Sequence, residues 1–281
     1  MCADRRALVV VWCVVSHNSP EDCLRLYSDL VDQTDGRWAL VVADNSDDDA
    51  QVAVLRDGLG PRSATSESLG PGHVVHMVEA NRGYLPTAAG ALGRIRVQPD
   101  FVVVSNADLR IDPGFVAELA RWLDCPAPVD VLAPAVLARG RDQNPYLVHR
   151  PAAWRLRRSA LLLRNPVTAV PFRWAAGRRP RRTALAISAG SPIYAAHGAC
   201  IVLHRSFFQK GGHLDHPQFL FGEEFFVAEQ LLDLQGVARY APALRVEHSE
   251  HGSIRAVRRR SRDLLQADAA AFWAARLASR S

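Results

Sequence analysis

Lysine is almost absent from this 281-residue chain: Lys210 stands alone, and arginine supplies nearly all the positive charge. That imbalance fits a GC-rich genome and says nothing of activity. Cysteine is scarce too. Cys2, Cys13, Cys23, Cys125 and Cys200 are an odd set without a C-x-x-C pair, which argues against a disulfide framework or a zinc site and for free thiols. No apolar run reaches the roughly 18 residues of a membrane-spanning helix. The opening Met1-Cys2-Ala3-Asp4-Arg5-Arg6 leads into a short apolar run without a leader's small-residue cleavage site. Residues 7–15 are therefore expected to form a buried strand, and the expected location is cytoplasmic. G-x-G-x-x-G and G-x-x-x-x-G-K-[ST] are both missing, so neither a dinucleotide fingerprint nor a P-loop is read.

One further absence is local. Residues 143–214 contain no aspartate or glutamate, yet carry Arg150, Arg155, Arg157, Arg158, Arg164, Arg173, Arg178, Arg179, Arg181 and Arg182. The net charge of +5 is modest, but a basic block of this kind attracts phosphates, anionic lipid or nucleic acid. The block lacks the interleaved aromatics of a base-stacking platform, so no nucleic-acid partner is expected. A solvated basic face is the plainer alternative to peripheral membrane contact through residues 150–182.

With 48% hydrophobic residues the chain can bury a sizeable core, as one large domain or two closely packed halves. Its first 110 residues alternate strand-like and helix-like patterns. Strands are expected at 7–15, 38–43, 74–78 and 101–105, and helices at 20–31 (Ser19 as N-cap, Pro20 next) and 87–95. The Val-rich continuity of the strands implies burial on both faces, hence a mostly parallel α/β sheet with helices on both sides. Further on, helices are expected at 113–123 and within 219–234, and strands at 129–137, 194–204 and 237–248, the last interrupted at Pro242. Residues 140–190 resist assignment. A basic helix from 256 onward is expected to pack on the outside.

In such sheets ligands bind beyond the carboxyl ends of the strands. There the sequence places Ser16-His17-Asn18, Asp44-Asn45-Ser46, Asn81-Arg82-Gly83 and Asn106-Ala107-Asp108. A strand ending in a carboxylate can hold a hard divalent cation whose remaining positions are filled by diphosphate oxygens; a helix cap or turn is the alternative. Glu223-Glu224 lies between Phe219, Phe221, Phe225 and Phe226. An apolar setting raises a carboxyl pKa and suits a general base, though acidic residues also favour helix N-termini. His248 and His251 are candidate metal or phosphate groups, His248 foremost, while His197 reads as a strand cap.

Taken in order, these segments resemble the inverting glycosyltransferases of family 2, with the GT-A fold, and are most similar to the rhamnosyltransferase-like bacterial group. The similarity runs from about residue 9 to residue 253. Val14-Val15-Ser16-His17-Asn18 resembles the family's first strand and nucleotide loop, and Asp44-Asn45-Ser46 its second-strand Asp, which contacts the base. Asn81-Arg82-Gly83-Tyr84 resembles the N-x-G-x segment, and Asn106-Ala107-Asp108 a D-x-D variant. Gly198-Ala199-Cys200 with Leu203 and Arg205 resembles a G-A-x-x-x-x-R strand. Glu223-Glu224 stands where the family has E-D, and His248 with Gly252-Ser253 resembles its C-terminal His and Gly-rich turn. Departures are Phe226 in place of a later Asp, Tyr84-Leu85-Pro86-Thr87 in place of a glycine run, and Glu rather than Asp as base.

The resemblance implies a nucleotide-sugar-binding half at 1–110, an acceptor-binding and catalytic half at 111–254, and a C-terminal basic helix at 255–281, in one GT-A unit. It implies a UDP- or dTDP-sugar donor, a hydroxyl acceptor (a lipid-linked saccharide or small natural product) and Mg2+ or Mn2+. Glu224 and Glu223 would be catalytic; Ser16, Asn18, Asp44, Asn81, Gly83, Asn106 and Asp108 would bind the donor; Asp108 and His248 would hold the metal. A sugar-1-phosphate nucleotidyltransferase, a retaining transferase and a non-catalytic basic protein binding nucleic acid or a membrane surface stay open at this point.

Overall fold

The computed structural model describes residues 9–60, 69–178, 187–249 and 259–279. Strands and helices alternate through its first part: β1 (Val10–Ser16), α1 (Pro20–Val31), β2 (Trp38–Asp44), α2 (Asp49–Leu59), β3 (Val74–Val78), α3 (Tyr84–Leu92) and β4 (Phe101–Asn106). The chain continues through β5 (Leu109–Ile111), α4 (Phe115–Arg121), β6 (Val131–Ala138), β7 (Arg141–Asp142), α5 (Ala153–Arg164), α6 (Pro166–Arg178) and β8 (Pro192–Ile193). It ends in β9 (Cys200–His204), α7 (Arg205–Gln209), α8 (Glu223–Asp233), β10 (Ala238–His248) and α9 (Arg259–Ala278).

All ten strands join one sheet, whose main order is β3-β2-β1-β4-β9-β6-β10-β5. β3, β2, β1 and β4 are mutually parallel. β9 runs against both β4 and β6, and β10 lies parallel to β6. The apolar strands are covered on both sides, as their unbroken hydrophobicity requires. In β1, Val10, Trp12 and Val14 enter one core with Leu26, Leu30 and Phe115, while Val11 and Cys13 enter the other with Leu85, Ala88 and Phe225. Cys13, Cys23, Cys125 and Cys200 are free thiols, and burial pushes that of Cys13 up to about 12.

Several boundaries differ from the sequence reading for identifiable reasons. Ser19 occupies the N-cap position of α1, but its hydroxyl donates to the His17 carbonyl at 2.9 Å instead of capping. α2 goes unread in the sequence because its start hides in the acidic run; Asp48 caps it by accepting from the Ala50 N–H. α3 begins at Tyr84, since Pro86 sits in the first turn, where a missing N–H costs nothing. The expected strand at 194–204 is extended only from Cys200. β10 does carry its irregularity at Pro242, a register shift between Ala241 and Arg245.

Residues 153–164 and 166–178 of the unassigned stretch are helical, and the last helix is not an outer addition. α5 turns Ala160 and Leu163 inward and packs along α9. α9 buries Ala267, Ala269, Trp273, Ala274 and Leu277. Trp273 is 2% exposed, stacks on His216 at 6.1 Å and contacts Phe225 and Phe226. Arg259, Arg260 and Arg276 are exposed and gave this segment a surface-like composition, which hid the small and aromatic residues that it turns inward. We expect Trp273→Ala to destabilise the fold by about 3–5 kcal/mol in chemical denaturation, whereas Leu264→Ala, at a 38% exposed position of the same helix, should change it by about 0.5 kcal/mol or less.

Candidate active site

Parallel strands deliver their ends to one edge. Ser16 closes β1, Asp44 closes β2, Asn81 and Gly83 follow β3, and Asn106 closes β4. Because β10 shares their direction, His248 arrives at the same edge. Because β9 runs the other way, it begins there, so His197-Gly198-Ala199 lies beside Asn106, whose N–H donates to the Ala199 carbonyl at 3.0 Å.

Asp108 sits between β4 and β5. The antiparallel pairing of β5 with β10 aligns Leu109 with His248, and the Ser249 N–H donates to the Asp108 carbonyl at 3.1 Å. This ladder sets His248 Nε2 3.2 Å from Asp108 Oδ1, with side-chain exposures of 15% and 5%. The segment is anchored from behind: Asp29 takes Arg110 in a two-pronged ion pair (2.8 and 2.6 Å) and accepts from the Ile111 N–H at 2.9 Å. His248 faces the His197 ring, centroids 6.4 Å apart. His197 is held by its own N–H, which donates to Asn144 Oδ1 at 2.8 Å, and by the Tyr146 ring at 5.8 Å.

Next to His197, the Gly198 N–H donates to Glu224 Oε1 at 3.1 Å. A Cβ on Gly198 would come within 2.9 Å of that oxygen, so a larger residue there would push the carboxylate aside. Asp108, His248, His197, Gly198 and Glu224 thus form one connected wall. Glu223 turns inward. It is 8% exposed, its Oε1 accepts from the Phe221 N–H at 2.9 Å, and burial followed by repulsion from Glu224 raises its pKa to about 8. The turn that aims this pair is strained: Phe221 and Gly222 have φ of 69° and 90°, and a bulky residue in the left-handed region is unusual.

The other half of the edge is a polar pocket wall. Asp44 Oδ1 accepts from the Ser46 N–H (3.1 Å) and hydroxyl (2.5 Å), and Oδ2 meets His76 Nε2 at 2.9 Å. Burial pushes the Asp44 carboxyl up, but the bonds from His76 and Ser46 outweigh it and hold it below its ordinary value. Asn18, at φ 49°, donates through its backbone to Ser46 Oγ at 2.8 Å. Asn45 Nδ2 donates to Asn81 Oδ1 at 3.1 Å. Ser16 Oγ is fully buried and meets no protein partner among the described residues. Gly83, at φ 96°, lies so close to Phe219 that any Cβ would collide with the carbonyl there. This contact ties the loop after β3 to the turn before Glu223.

The ten site residues selected from the sequence therefore gather at one edge, and Asp108, His248 and Glu224 share one wall. Three participants were missed. His76 had a signal, a histidine inside an apolar strand; Asn144 and Asp29 had none, since their partners lie far along the chain. His251 and the Gly252-Ser253 turn lie outside the described residues.

The arrangement suits a divalent cation in part. Among the described residues no group of three or more His, Cys, Asp or Glu side chains converges. A carboxylate oxygen and an imidazole nitrogen 3.2 Å apart nevertheless match adjacent corners of an octahedron with bonds of about 2.1 Å, whose edge is about 3.0 Å. Two protein ligands leave positions for phosphate oxygens and water, as is usual for Mg2+.

The glycosyl transferase family 2 model matches residues 11–212. No curated protein sequence matches. Among solved structures, S. aureus TarS 1–349 aligns over 86% of this chain and 60% of its own length, with a TM-score of 0.54 and 12% identity. The same TarS segment in complex with UDP-GlcNAc gives 86%, 58%, 0.53 and 13%. GalNAc-T7 with UDP, GalNAc and Mn2+ gives 88%, 45%, 0.55 and 15%. At such identities the likeness is one of fold, and this chain spans 60% or less of each.

Glu223 yields a prediction. Its pKa is near 8 in the fold against an ordinary 4.5, so between those values the folded chain holds a proton that the unfolded chain has released. The resulting stability is full below the lower value and is lost as pH rises through the upper one. Glu223→Gln should therefore lose less melting temperature than the parent between about pH 6 and about pH 9. Equal losses in thermal melts would contradict a protonated Glu223.

Proposed function

The chain belongs to glycosyl transferase family 2, and on that premise we propose that it moves a hexose or deoxyhexose from a UDP- or dTDP-sugar to a hydroxyl acceptor, with inversion and with help from a divalent metal. The observation that carries this reading is the connected wall from Asp108 through His248 and His197 to Glu224. It brings the Asp108–His248 pair and the Glu224 carboxylate along one wall, which suits a metal-assisted transfer with a carboxylate base. The UDP-sugar and Mn2+ named for the solved GT-A structures agree with it.

Each residue has a task. Asp44, supported by His76 and Ser46, forms the end wall for the uracil or thymine ring, while Ser16, Asn18, Asn81 and Gly83 line the donor side. Asp108 and His248 would hold Mg2+ or Mn2+, which supplies positive charge to offset that building on the departing diphosphate. Glu224, not Glu223, is the base. Glu223 holds its proton near neutrality and is buried; Glu224 is half-buried, and its Oε1 is oriented by Gly198. Glu224 takes the acceptor hydroxyl's proton as that oxygen bonds to the anomeric carbon, and the bond to the diphosphate oxygen breaks with its electron pair leaving on the nucleoside diphosphate. Attack opposite the leaving group inverts the centre.

A nucleotidyltransferase is disfavoured by the family match and by the lack of a glycine-rich phosphate loop after Val15. The rhamnosyltransferase-like grouping narrows the donor to deoxyhexoses and rests on the motif resemblance alone.

Glu224→Gln should reduce transfer by roughly 10²–10⁴-fold while keeping donor binding, and Glu223→Gln should retain most turnover. Asp108→Asn should abolish transfer and also the metal-dependent part of donor-induced thermal stabilisation. A thermal-shift screen of UDP-, dTDP- and GDP-sugars, with and without Mn2+, identifies the donor and checks the metal separately from activity. Normal turnover in Asp108→Asn overturns the metal assignment; loss in Glu223→Gln alone exchanges the two glutamates.

A further inference from the structure

The segment without acidic residues folds into two consecutive helices, α5 and α6, and their outward sides are unusual. On α5, Trp154 is 58% exposed and Leu161 72%; seven residues apart, they share a face. On α6, Val167, Val170 and Trp174 are 80%, 60% and 61% exposed, again at the spacing of a single face. The opposite side of α5 is spent on the core, through Ala160 and Leu163.

Charge on this surface is one-signed. Arg155, Arg157 and Arg158 are exposed and make no ion pair among the described residues, the Arg155 guanidinium lying 5.6 Å from the Trp154 ring centroid. Arg164 and Arg173 are used structurally, pairing with Asp268 and Asp263 of α9. The inner arginines thus fasten the pair of helices to the body, while the outer ones stay available beside exposed tryptophans.

We propose that the outer face of α5 and α6 is a docking surface for an anionic phospholipid bilayer, with Trp154, Leu161, Val167, Val170 and Trp174 entering the headgroup boundary and Arg155, Arg157 and Arg158 engaging the phosphates. Two exposed indole rings flanked by guanidinium groups fit an interface that is apolar below and anionic above. A second copy of this chain is a poorer occupant, because a two-fold contact would set this cationic patch against itself. Among the described residues no helix is long and apolar enough to cross a membrane, so the contact is peripheral. The chain runs directly from this surface to the site: Asn144, which holds His197, precedes α5 by a short connection. A docked molecule would therefore present its acceptor side close to the bilayer, where a lipid-linked hydroxyl is available.

The test is co-sedimentation of the full chain, without donor or acceptor, with vesicles of phosphatidylcholine alone or mixed with phosphatidylglycerol at about 3:1. Binding is expected only to the anionic vesicles. The triple variant Arg155→Gln, Arg157→Gln, Arg158→Gln should lower the partition coefficient on the order of 100-fold. Trp154→Ser with Leu161→Ser should remove the binding that survives high salt. All five positions are exposed, and unchanged circular dichroism and melting confirm folding. No binding by the parent chain, or equal binding by the variants, overturns the proposal. So does a concentration-dependent dimer that Leu161→Ser dissociates, which would make this face a contact between copies. Because no sugar is present in the assay, its failure leaves the transferase reading standing, and loss of transfer in the catalytic variants leaves this one.

Discussion

β9 runs against both of its neighbours, and that reversal shapes the site. A parallel strand at this place would deliver its carboxyl end to the ligand edge and leave its entry turn on the far side. Running backwards, β9 starts at the ligand edge, so Gly198 meets Glu224 there while Ala199 bonds Asn106. Strands β1–β4 and helix α8 are joined across one turn of backbone. The small residue at 198 leaves room for the Glu224 side chain against the main-chain N–H.

A second pairing has the same logic. Three residues of β5 are too few to stand alone, yet they fix His248 beside Asp108 because they pair with β10 and are anchored from behind by Asp29. The carboxylate and the imidazole come from positions 140 residues apart, and their closeness is a matter of ladder register rather than side-chain choice. Leu109, Ile111 and Val246 are buried while Arg110 and Glu247 between them are exposed; a one-residue slip would reverse the two faces, so the register that sets the pair is strongly specified.

The two adjacent glutamates show how environment separates like groups. Glu223 is driven inward among aromatic residues and retains its proton; Glu224, one step on, leans toward the cleft and takes the Gly198 N–H. Opposite burial of neighbours follows from the helical period, which turns consecutive residues about 100° apart. The strained Phe221-Gly222 turn and the close contact of Gly83 with Phe219 set the angle at which α8 presents both.

The α/β class, the four parallel strands and the polar residues that close them were legible from local pattern: Val-rich runs long enough for a strand, each followed by short polar side chains. Periodicity and turn chemistry act over a few residues, so a linear reading captures them. It did not capture α2, whose start looked like a loop, nor α5 and α6, whose arginines hid the helical face, nor the burial of Trp273 in α9. Which glutamate keeps its proton, and that Asp29, His76 and Asn144 support the site, depended on contacts between distant segments. Local sequence decides what each segment can form; only packing decides which groups lose their water, and that loss sets their chemistry.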